Sequence, residues 1–250
     1  MLRPLWVSLR QLVLPAHCAA CGSPAPPDRL LPLCEPCGLA LAELIAAPYC
    51  PRCGRHTGPY TWDDRGCVFC RRYPIRHDAT VRVGAYAEPL RRLIRRCKEE
   101  RRAEIAAFLG RLLAERLALA SWADRVDVVV PVPLHWSRRI RRGFNQAEVL
   151  ARALAGAGNG RVVHRRLLRH RPTPHQRGRS ADQRRKNVRG AFRIRRGSND
   201  LAGRGVLLVD DVMTSGTTVA ECARVLRKAG AREVYVAVVA TADYDNPGSW

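Results

Sequence analysis

The strongest constraint on the fold of this chain is an uninterrupted aliphatic run, residues 206–209, that leads directly into Asp210 and Asp211. Such a run is typical of a strand buried on both faces of a parallel sheet, because a strand covered on both sides needs no polar face. A second aliphatic run follows at residues 234–239, after a helix-patterned segment that Gly230 would end. The two runs predict a βαβ unit and place the chain in the α/β class.

The turn after the first aliphatic run carries the residue types of an anion site, namely Thr214, Ser215, Gly216, Thr217 and Thr218. Backbone N–H groups at a helix N-terminus bind phosphate, hydroxyls add donors, and glycine allows the backbone to approach closely. Two carboxylates beside a phosphate would repel it unless they face sugar hydroxyls or a magnesium ion. The pattern therefore predicts a site for a phosphorylated sugar, with its phosphate on the loop and its hydroxyls on Asp210 and Asp211.

This order of strand, acidic pair, loop and helix resembles the 5-phosphoribosyl 1-diphosphate (PRPP) loop of the type I phosphoribosyltransferases. In that resemblance Asp210 and Asp211 correspond to the acids that bind the ribose hydroxyls, and residues 214–218 correspond to the 5′-phosphate loop. One alternative is an acidic pair that merely ends a strand. The other is a phosphatase magnesium site, but aspartyl phosphatases use Asp-x-Asp where this strand ends in Asp-Asp.

Eight of the ten cysteines form four Cys-x-x-Cys pairs near the start of the chain. Paired cysteines on tight turns are typical of structural zinc held by four thiolates, and a reducing cytoplasm disfavours disulfides. We predict two sequential structural zinc sites, formed by Cys18, Cys21, Cys34 and Cys37 and by Cys50, Cys53, Cys67 and Cys70. A cross-braced pairing of alternate turns also satisfies the spacing, and redox-active or free cysteines are the remaining alternative.

Residues 15–78 are rich in proline and glycine and poor in aliphatic side chains, so we expect that this segment builds no core of its own. Zinc would supply its folding free energy, on the order of 10 kcal/mol per site. We therefore predict an N-terminal unit over residues 1–78, with an amphipathic helix and a double zinc ribbon. A second unit is predicted over residues 79–250.

The chain is strongly basic, with 44 basic and 22 acidic residues and a formal net charge of +22. Such a charge attracts polyanions, either PRPP or nucleic acid, and arginine-rich segments occur at residues 138–142, 165–171 and 184–196. A merely solvated basic surface is the alternative. No apolar run is long enough to span a membrane, and residues 1–20 do not follow the pattern of a signal peptide, so we expect a cytoplasmic protein.

Further motifs extend the resemblance to nearly the whole chain. Further motifs follow the cysteine pairs along the chain: Val-Pro-Val-Pro-Leu at 130–134, Arg-Gly-Phe-Asn-Gln at 142–146, and Thr-x-x-Gln with Arg-x-x-Asn-Val between 173 and 188. In this order, and followed by the phosphate loop, they make the chain similar to the ComF family of competence-associated phosphoribosyltransferase-like proteins. The resemblance implies an α/β fold with a type I phosphoribosyltransferase-like parallel sheet flanked by helices, and a small N-terminal zinc-ribbon domain.

The resemblance also implies roles for residues outside the phosphate loop. It places Lys98, Arg142 and Gln146 around the active site, and it places Gln176, Arg184 and Asn187 on a lid. The proline-framed turn formed by Pro131, Val132 and Pro133 follows a predicted strand at residues 127–130, which suits a loop that holds pyrophosphate. Arg142 and Mg²⁺ would bind the same pyrophosphate, and Asp210 and Asp211 would complete the catalytic set.

Three functions are consistent with these residues. The first is transfer of a phosphoribosyl group from PRPP, in the presence of Mg²⁺, to an acceptor, with release of pyrophosphate. The second is a single-stranded-DNA-binding accessory protein that uses the transferase fold as a ligand sensor. The third is a scaffold whose ribbon docks a helicase or channel component of DNA uptake.

Overall fold

The protein is described here by a computed structural model. It covers residues 16–26, 31–58, 61–63, 65–73, 75–158, 161–171, 187–195 and 201–242, without the side chains of residues 138, 141 and 142. The amphipathic helix predicted near the start of the chain lies outside these residues.

The cysteine-rich segment folds into four short elements, α1 (Glu35–Ala46), β1 (Trp62–Asp63), β2 (Gly66–Cys67) and α2 (Val68–Arg72). Strands β1 and β2 form an antiparallel pair after the third cysteine pair, and Cys67 of the fourth pair lies in β2 opposite Trp62. Helix α1 was not predicted. It forms because residues 39–46 are almost entirely leucine, isoleucine, alanine and glutamate, which favour helix.

Seven further strands follow, β3 (Thr80–Ala85), β4 (Val128–Pro131), β5 (Val162–Val163), β6 (Leu167–Arg169), β7 (Phe192–Ile194), β8 (Gly205–Met213) and β9 (Glu233–Thr241). Five of them form a parallel sheet in the order β3-β9-β8-β4-β5, and β6 pairs with β7 in an antiparallel ladder. The predicted parallel sheet of an α/β fold is confirmed.

The helices that follow the ribbon are α3 (Leu90–Glu99), α4 (Ala103–Ala118), α5 (Trp136–Arg142), α6 (Gln146–Gly156) and α7 (Thr217–Lys228). Helices α3 and α4 lie between β3 and β4, and α5 and α6 lie between β4 and β5. Helix α4 buries Ile105, Leu109, Leu113 and Leu117, spaced four residues apart. This stripe packs α4 against the sheet.

The aliphatic run of β8 is buried on both sides. Leu207 and Val209 belong to a core shared with α3, α4 and α6, whereas Val206 and Leu208 belong to a second core under α7. Alternate residues of a strand point to opposite faces of the sheet, so a strand between two cores must be apolar at every position.

Strand β8 is longer than its aliphatic run. It continues through Asp210 and Asp211 to Met213, because β9 remains paired with it up to Met213 opposite Thr241. The acidic pair therefore belongs to the strand itself, and the connecting loop is shorter than predicted.

The N-terminal segment shares the main core. Leu31, Leu33 and Leu41 are buried in the same cluster as α4 and the sheet, and the Arg96 guanidinium donates to the Ala19 carbonyl at 2.7 Å. We predicted that residues 15–78 build no core of their own, and these leucines pack instead into a core formed with the sheet from later in the chain. The boundary at residue 78 remains a prediction.

No helix within the described residues is both long and apolar enough to cross a lipid bilayer.

Candidate functional site

The candidate site lies at the carboxyl end of β8, where a three-residue turn leads into α7. Gly216 adopts a left-handed conformation, with φ of 69°, immediately before the first helical residue, Thr217. Glycine is favoured there because a Cβ atom strains this conformation. Having no side chain, Gly216 leaves the first N–H groups of the helix without a side-chain cap. They are therefore available to an external acceptor such as a phosphate oxygen.

Hydroxyl groups surround this helix start. The Ser215 and Thr217 hydroxyl oxygens lie 2.8 Å apart in a hydrogen bond, and all residues from 214 to 218 are partly exposed. Thr217 and Thr218 belong to the first turn of α7 rather than to the loop. The predicted phosphate loop thus consists of a short turn and the first helical turn, and both present donors to the same space.

Asp211 forms an ion pair with a residue from a distant helix. Its Oδ2 atom lies 2.9 Å from the Lys98 Nζ atom, and the two side chains are only 19% and 23% exposed. Lys98 is in the last turn of α3, which follows the edge strand β3. The structure therefore brings together three of the four predicted catalytic residues, Asp210, Asp211 and Lys98. The side chain of the fourth, Arg142, lies outside the described part.

Burial, reinforced by the neighbouring Asp211 carboxylate, raises the pKa of Asp210 to about 7. The Asp211 backbone N–H, which donates to Asp210 Oδ1 at 2.9 Å, opposes this rise, as does Lys98. Lys98 is a single cation beside the two carboxyl groups of Asp210 and Asp211. A hydrogen-bond donor or a cation that binds near Asp210 would therefore be stabilised there.

We expect the Lys98→Met variant to lose about 2 kcal/mol of unfolding free energy at pH 8, a value between those of exposed and buried ion pairs. The physical reason is that Asp211 would keep its charge beside Asp210 without its cation. The loss should be smaller at pH 5, because Asp210 is then protonated and repels Asp211 less. Urea denaturation at pH 5 and pH 8 measures the loss of unfolding free energy. Lys228→Met is the control, because Lys228 is exposed. Unchanged stability of Lys98→Met at pH 8 would contradict the assignment.

The predicted pyrophosphate turn lies at the same edge of the sheet. Strand β4 pairs in parallel with β8, and the Val132 N–H donates to the Val209 carbonyl at 2.8 Å. Asn145 holds this turn from the other side: its Nδ2 atom donates to the Val132 carbonyl at 3.2 Å, and its Oδ1 atom accepts from the Ala147 N–H at 3.2 Å. Sequence reasoning missed Asn145, although asparagine before a helix is a common N-cap.

Of the remaining predicted site residues, two lie within the described part of the chain, Gln146 and Asn187. Gln146 is buried at the start of α6, and its Nε2 atom has no hydrogen-bond partner within the described part of the chain. Asn187 is half-buried, and its backbone carbonyl accepts from the Arg171 guanidinium at 3.0 Å. The lid residues Gln176 and Arg184 lie outside the described residues.

The eight paired cysteines form two compact groups. Cys18, Cys21, Cys34 and Cys37 make one group, and Cys50, Cys53, Cys67 and Cys70 make the other; within each, all Sγ atoms lie within 4.8 Å of one another. Sγ–Sγ distances of 3.5 to 3.9 Å occur within them. Four sulfurs at about 2.3 Å from zinc lie about 3.8 Å apart in a tetrahedron. Both groups therefore fit a zinc ion, in the sequential pairing that we predicted.

The second cysteine group is bound to the sheet beside the phosphate loop. The Gly54 carbonyl accepts from the Thr241 hydroxyl at 2.8 Å, and the Arg55 guanidinium donates to the Thr214 carbonyl at 3.4 Å. Arg55 is buried and stacks on the Phe69 ring, with its Cζ atom 3.8 Å from the ring centroid. Sequence reasoning did not single out Arg55, so its contact with the phosphate loop was missed.

Comparison with known proteins gives concordant matches. Residues 105–249 match the family model described as phosphoribosyl transferase domain. The chain is 34% identical to Competence protein F of Haemophilus influenzae, over 82% of this chain and 88% of that protein. It is 35% identical to DNA utilization protein YhgH of Salmonella typhimurium, over 90% and 96%. It is 27% identical to Competence protein ComFC of Bacillus subtilis, over 79% of both. A match over 90% of the chain must include most of the cysteine-rich segment as well as the sheet.

Proposed function

This chain belongs to the ComF family of phosphoribosyltransferase-like proteins, and from that premise we propose that it binds PRPP with Mg²⁺ and transfers the phosphoribosyl group to an acceptor. One observation carries the proposal. The half-buried acidic pair of Asp210 and Asp211 lies in β8, directly before the uncapped N-terminus of α7. Acceptors for sugar hydroxyls and donors for a phosphate are thus separated by one short turn.

Each end of PRPP has a matching group of residues in this proposal. The 5′-phosphate accepts hydrogen bonds from the backbone and hydroxyls of residues 214–218, and the ribose hydroxyls donate to Asp210 and Asp211. The pyrophosphate lies against residues 131–133, at the neighbouring strand end. Asp210 and Asp211 offer the oxygen ligands that Mg²⁺ prefers, and their charge exceeds that of Lys98. Bound Mg²⁺ would supply positive charge to the departing pyrophosphate.

The chemistry is displacement at C1 of the ribose. The bond between C1 and the pyrophosphate oxygen breaks, pyrophosphate leaves with the electron pair, and a lone pair of the acceptor forms the new bond. A sugar-cation-like transition state of this kind gains most from positioning and from charge stabilisation. Lys98 orients Asp211 through the 2.9 Å ion pair, and Arg142 is proposed to bind the pyrophosphate.

We place this activity in DNA uptake, because the relatives are named competence and DNA utilization proteins. A second candidate is a single-stranded-DNA-binding accessory protein, favoured by the formal charge of +22. Its proposed partners are single-stranded DNA and a helicase or channel component of the uptake machinery. DNA binding that weakens steeply with salt, and that needs no PRPP, would support this candidate.

Calorimetric titration with PRPP, with and without Mg²⁺, tests the primary proposal. We expect a Kd between about 1 µM and 1 mM, as is usual for enzymes and substrates, and weaker binding without Mg²⁺. Ribose without phosphate serves as the control and should not bind. Pyrophosphate release is then measured against a panel of nucleobases and single-stranded DNA. A folded, zinc-loaded protein that produces no heat with millimolar PRPP and Mg²⁺ would refute the proposal.

A further inference from the structure

The two cysteine groups differ in the exposure of their side chains. In the second group all four cysteines are buried, at 9% exposure or less, and Phe69 and Ile75 pack against them. In the first group Cys18 is buried in the main core, Cys21 is exposed, and the other two cysteines are half-buried. Cys21 is thus far more accessible to solvent than any cysteine of the second group.

Accessibility decides which zinc-binding cysteine an oxidant reaches. A cysteine that binds zinc is held as a thiolate, and the thiolate is the form of the side chain that reacts with oxidants. Both groups fit zinc, so all eight side chains would have this reactive form, and the exposed one is oxidised first. That residue is Cys21. The remaining cysteines of the chain, Cys97 and Cys222, are buried outside both groups.

Cys34 is placed to form a disulfide with an oxidised Cys21. The Sγ atoms of the two residues lie 3.5 Å apart, so a shift of about 1.5 Å brings them to the bonding distance of a disulfide. Cys18, the partner of Cys21 in its own Cys-x-x-Cys pair, is fully buried, and its Sγ atom accepts a hydrogen bond from the Cys21 N–H at 3.5 Å. Exposure and distance therefore both favour Cys34 over Cys18.

We propose that Cys21 and Cys34 form an oxidation site that releases zinc from the first group, with hydrogen peroxide as the oxidant. The Cys21 thiolate attacks the peroxide, the O–O bond breaks, and the products are a sulfenic acid on Cys21 and hydroxide. The Cys34 thiolate then attacks the Cys21 sulfur, the S–S bond forms, and a second hydroxide leaves. Two protons convert the hydroxides to water, so the two electrons lost by the thiolates reduce one peroxide. The first group keeps only two thiolates, Cys18 and Cys37, and no longer holds the ion.

The contacts of the first group confine the effect of oxidation to the N-terminal segment. The Arg96 guanidinium on α3 donates to the Ala19 carbonyl, and the segment between the two cysteine pairs buries two leucines in the main core. These contacts depend on a folded first group, so their loss lowers the stability of the protein. Helix α3 has four buried side chains of its own in the main core, so the ion pair between Lys98 and Asp211 persists. The oxidation site is therefore independent of the proposed PRPP site.

Peroxide treatment of the full, zinc-loaded chain tests this site. A chromogenic chelator measures the released zinc, and mass spectrometry of unreduced peptides identifies the disulfide. We expect one zinc ion per chain to be released at least about 10-fold faster than the other, because reaction with peroxide follows exposure of the thiolate. A disulfide between Cys21 and Cys34 should form with the same time course. Tm should fall as the first ion leaves, and reductant with added zinc should restore both the Tm and the zinc content.

The Cys21→His variant separates oxidation from zinc binding. Three cysteines and one histidine also hold structural zinc, but histidine forms no disulfide. This variant should carry two zinc ions and release both as slowly as the unaltered chain releases its second ion. The matched control is Cys37→His, which makes the same change in the same group and leaves Cys21 and Cys34 in place. It should still release its first ion rapidly and form the disulfide.

Several outcomes on the unaltered chain would overturn the proposal, so it stays testable even if a histidine variant fails to fold. Release of both zinc ions at one rate would show that exposure does not select the first group. A disulfide between any other cysteines would show that Cys21 and Cys34 are not the reacting pair. A chain that carries zinc only in the second group before treatment would show that the first group is not a metal site. None of these measurements uses PRPP, so a failure of the proposed function leaves their outcome unchanged.

Discussion

Asparagine in place of both Asp210 and Asp211 is expected to weaken PRPP binding by at least about 100-fold. The two carboxylates accept hydrogen bonds from the ribose hydroxyls in our proposal, and a hydrogen bond to a charged group contributes about 1.5 to 3 kcal/mol. The amide oxygens that replace them are weaker acceptors and poorer ligands for Mg²⁺. Calorimetry with PRPP and Mg²⁺ measures the loss. Metal analysis should still find two zinc ions per chain, because the cysteine groups are unaltered.

The single variants Asp210→Asn and Asp211→Asn should change the unfolding free energy in opposite directions. The folded-state pKa of Asp210 is about 7, whereas an unfolded chain has about 3.9. The folded protein therefore binds more protons between these values, and Asp210 destabilises it increasingly as the pH rises from about 4 to 7. Asp210→Asn removes this cost and should raise the unfolding free energy at pH 8 by roughly 1 to 3 kcal/mol. Asp211→Asn breaks the ion pair with Lys98 and should lower it.

Urea denaturation at pH 5 and pH 8 resolves these stability effects. The gain from Asp210→Asn should shrink at pH 5, where the carboxyl group is already protonated in the folded state. Equal stability of the Asp210→Asn variant and the unaltered chain at pH 8 would show that Asp210 is not held in a desolvated, repulsive position. Retained PRPP binding in the double variant would overturn the assignment of the ribose site.

Loss of the second cysteine group is expected to damage the phosphate loop as well as the ribbon. A structural zinc contributes on the order of 10 kcal/mol to folding, so Cys53→Ser should unfold the segment around it. That segment holds Gly54 against Thr241 and Arg55 against the Thr214 carbonyl. Gly54 has φ of 74°, and a Cβ atom there would lie 2.8 Å from the Thr80 methyl carbon, so the ribbon and sheet are in close contact. We expect PRPP affinity to fall at least about 10-fold, the equivalent of 1.4 kcal/mol.

The first cysteine group provides a matched control. Cys21→Ser should remove one zinc ion and lower Tm, because this group shares the main core, but PRPP affinity measured well below Tm should change little. Arg55→Ala is the milder variant at the second group. It should keep both zinc ions and lose PRPP affinity only several-fold, because it removes the hydrogen bond to the Thr214 carbonyl. Unchanged PRPP affinity in Cys53→Ser would show that the loop does not depend on the ribbon.

Local patterns predicted the elements of the fold well. The apolar runs of β8 and β9 identified two central strands, because a strand between two cores has no polar positions. Cysteine spacing predicted two groups of four, since a Cys-x-x-Cys turn brings both sulfurs to one metal. Helix α1 was not predicted, because its helix-forming residues lie within a segment dominated by cysteine, proline and glycine.

Contacts between distant segments could not be predicted in the same way. Lys98 was included only through family resemblance, and its ion pair with Asp211 exists because α3 ends beside the strand end of β8. Asn145 holds the turn after β4 because α6 starts next to that turn. Sequence periodicity specifies which face of an element is apolar, but it does not specify which element lies beside it.

From the sequence alone came the α/β class, the candidate phosphate loop and the two groups of four cysteines, because each depends on residues that are close along the chain. Only the tertiary structure decided that Lys98 neutralises Asp211 and that the second cysteine group contacts the phosphate loop through Arg55. The physical reason is the strand order β3-β9-β8, which brings the ends of remote segments to one edge of the sheet. Ion pairs and side-chain contacts form at this edge between residues that are far apart along the chain.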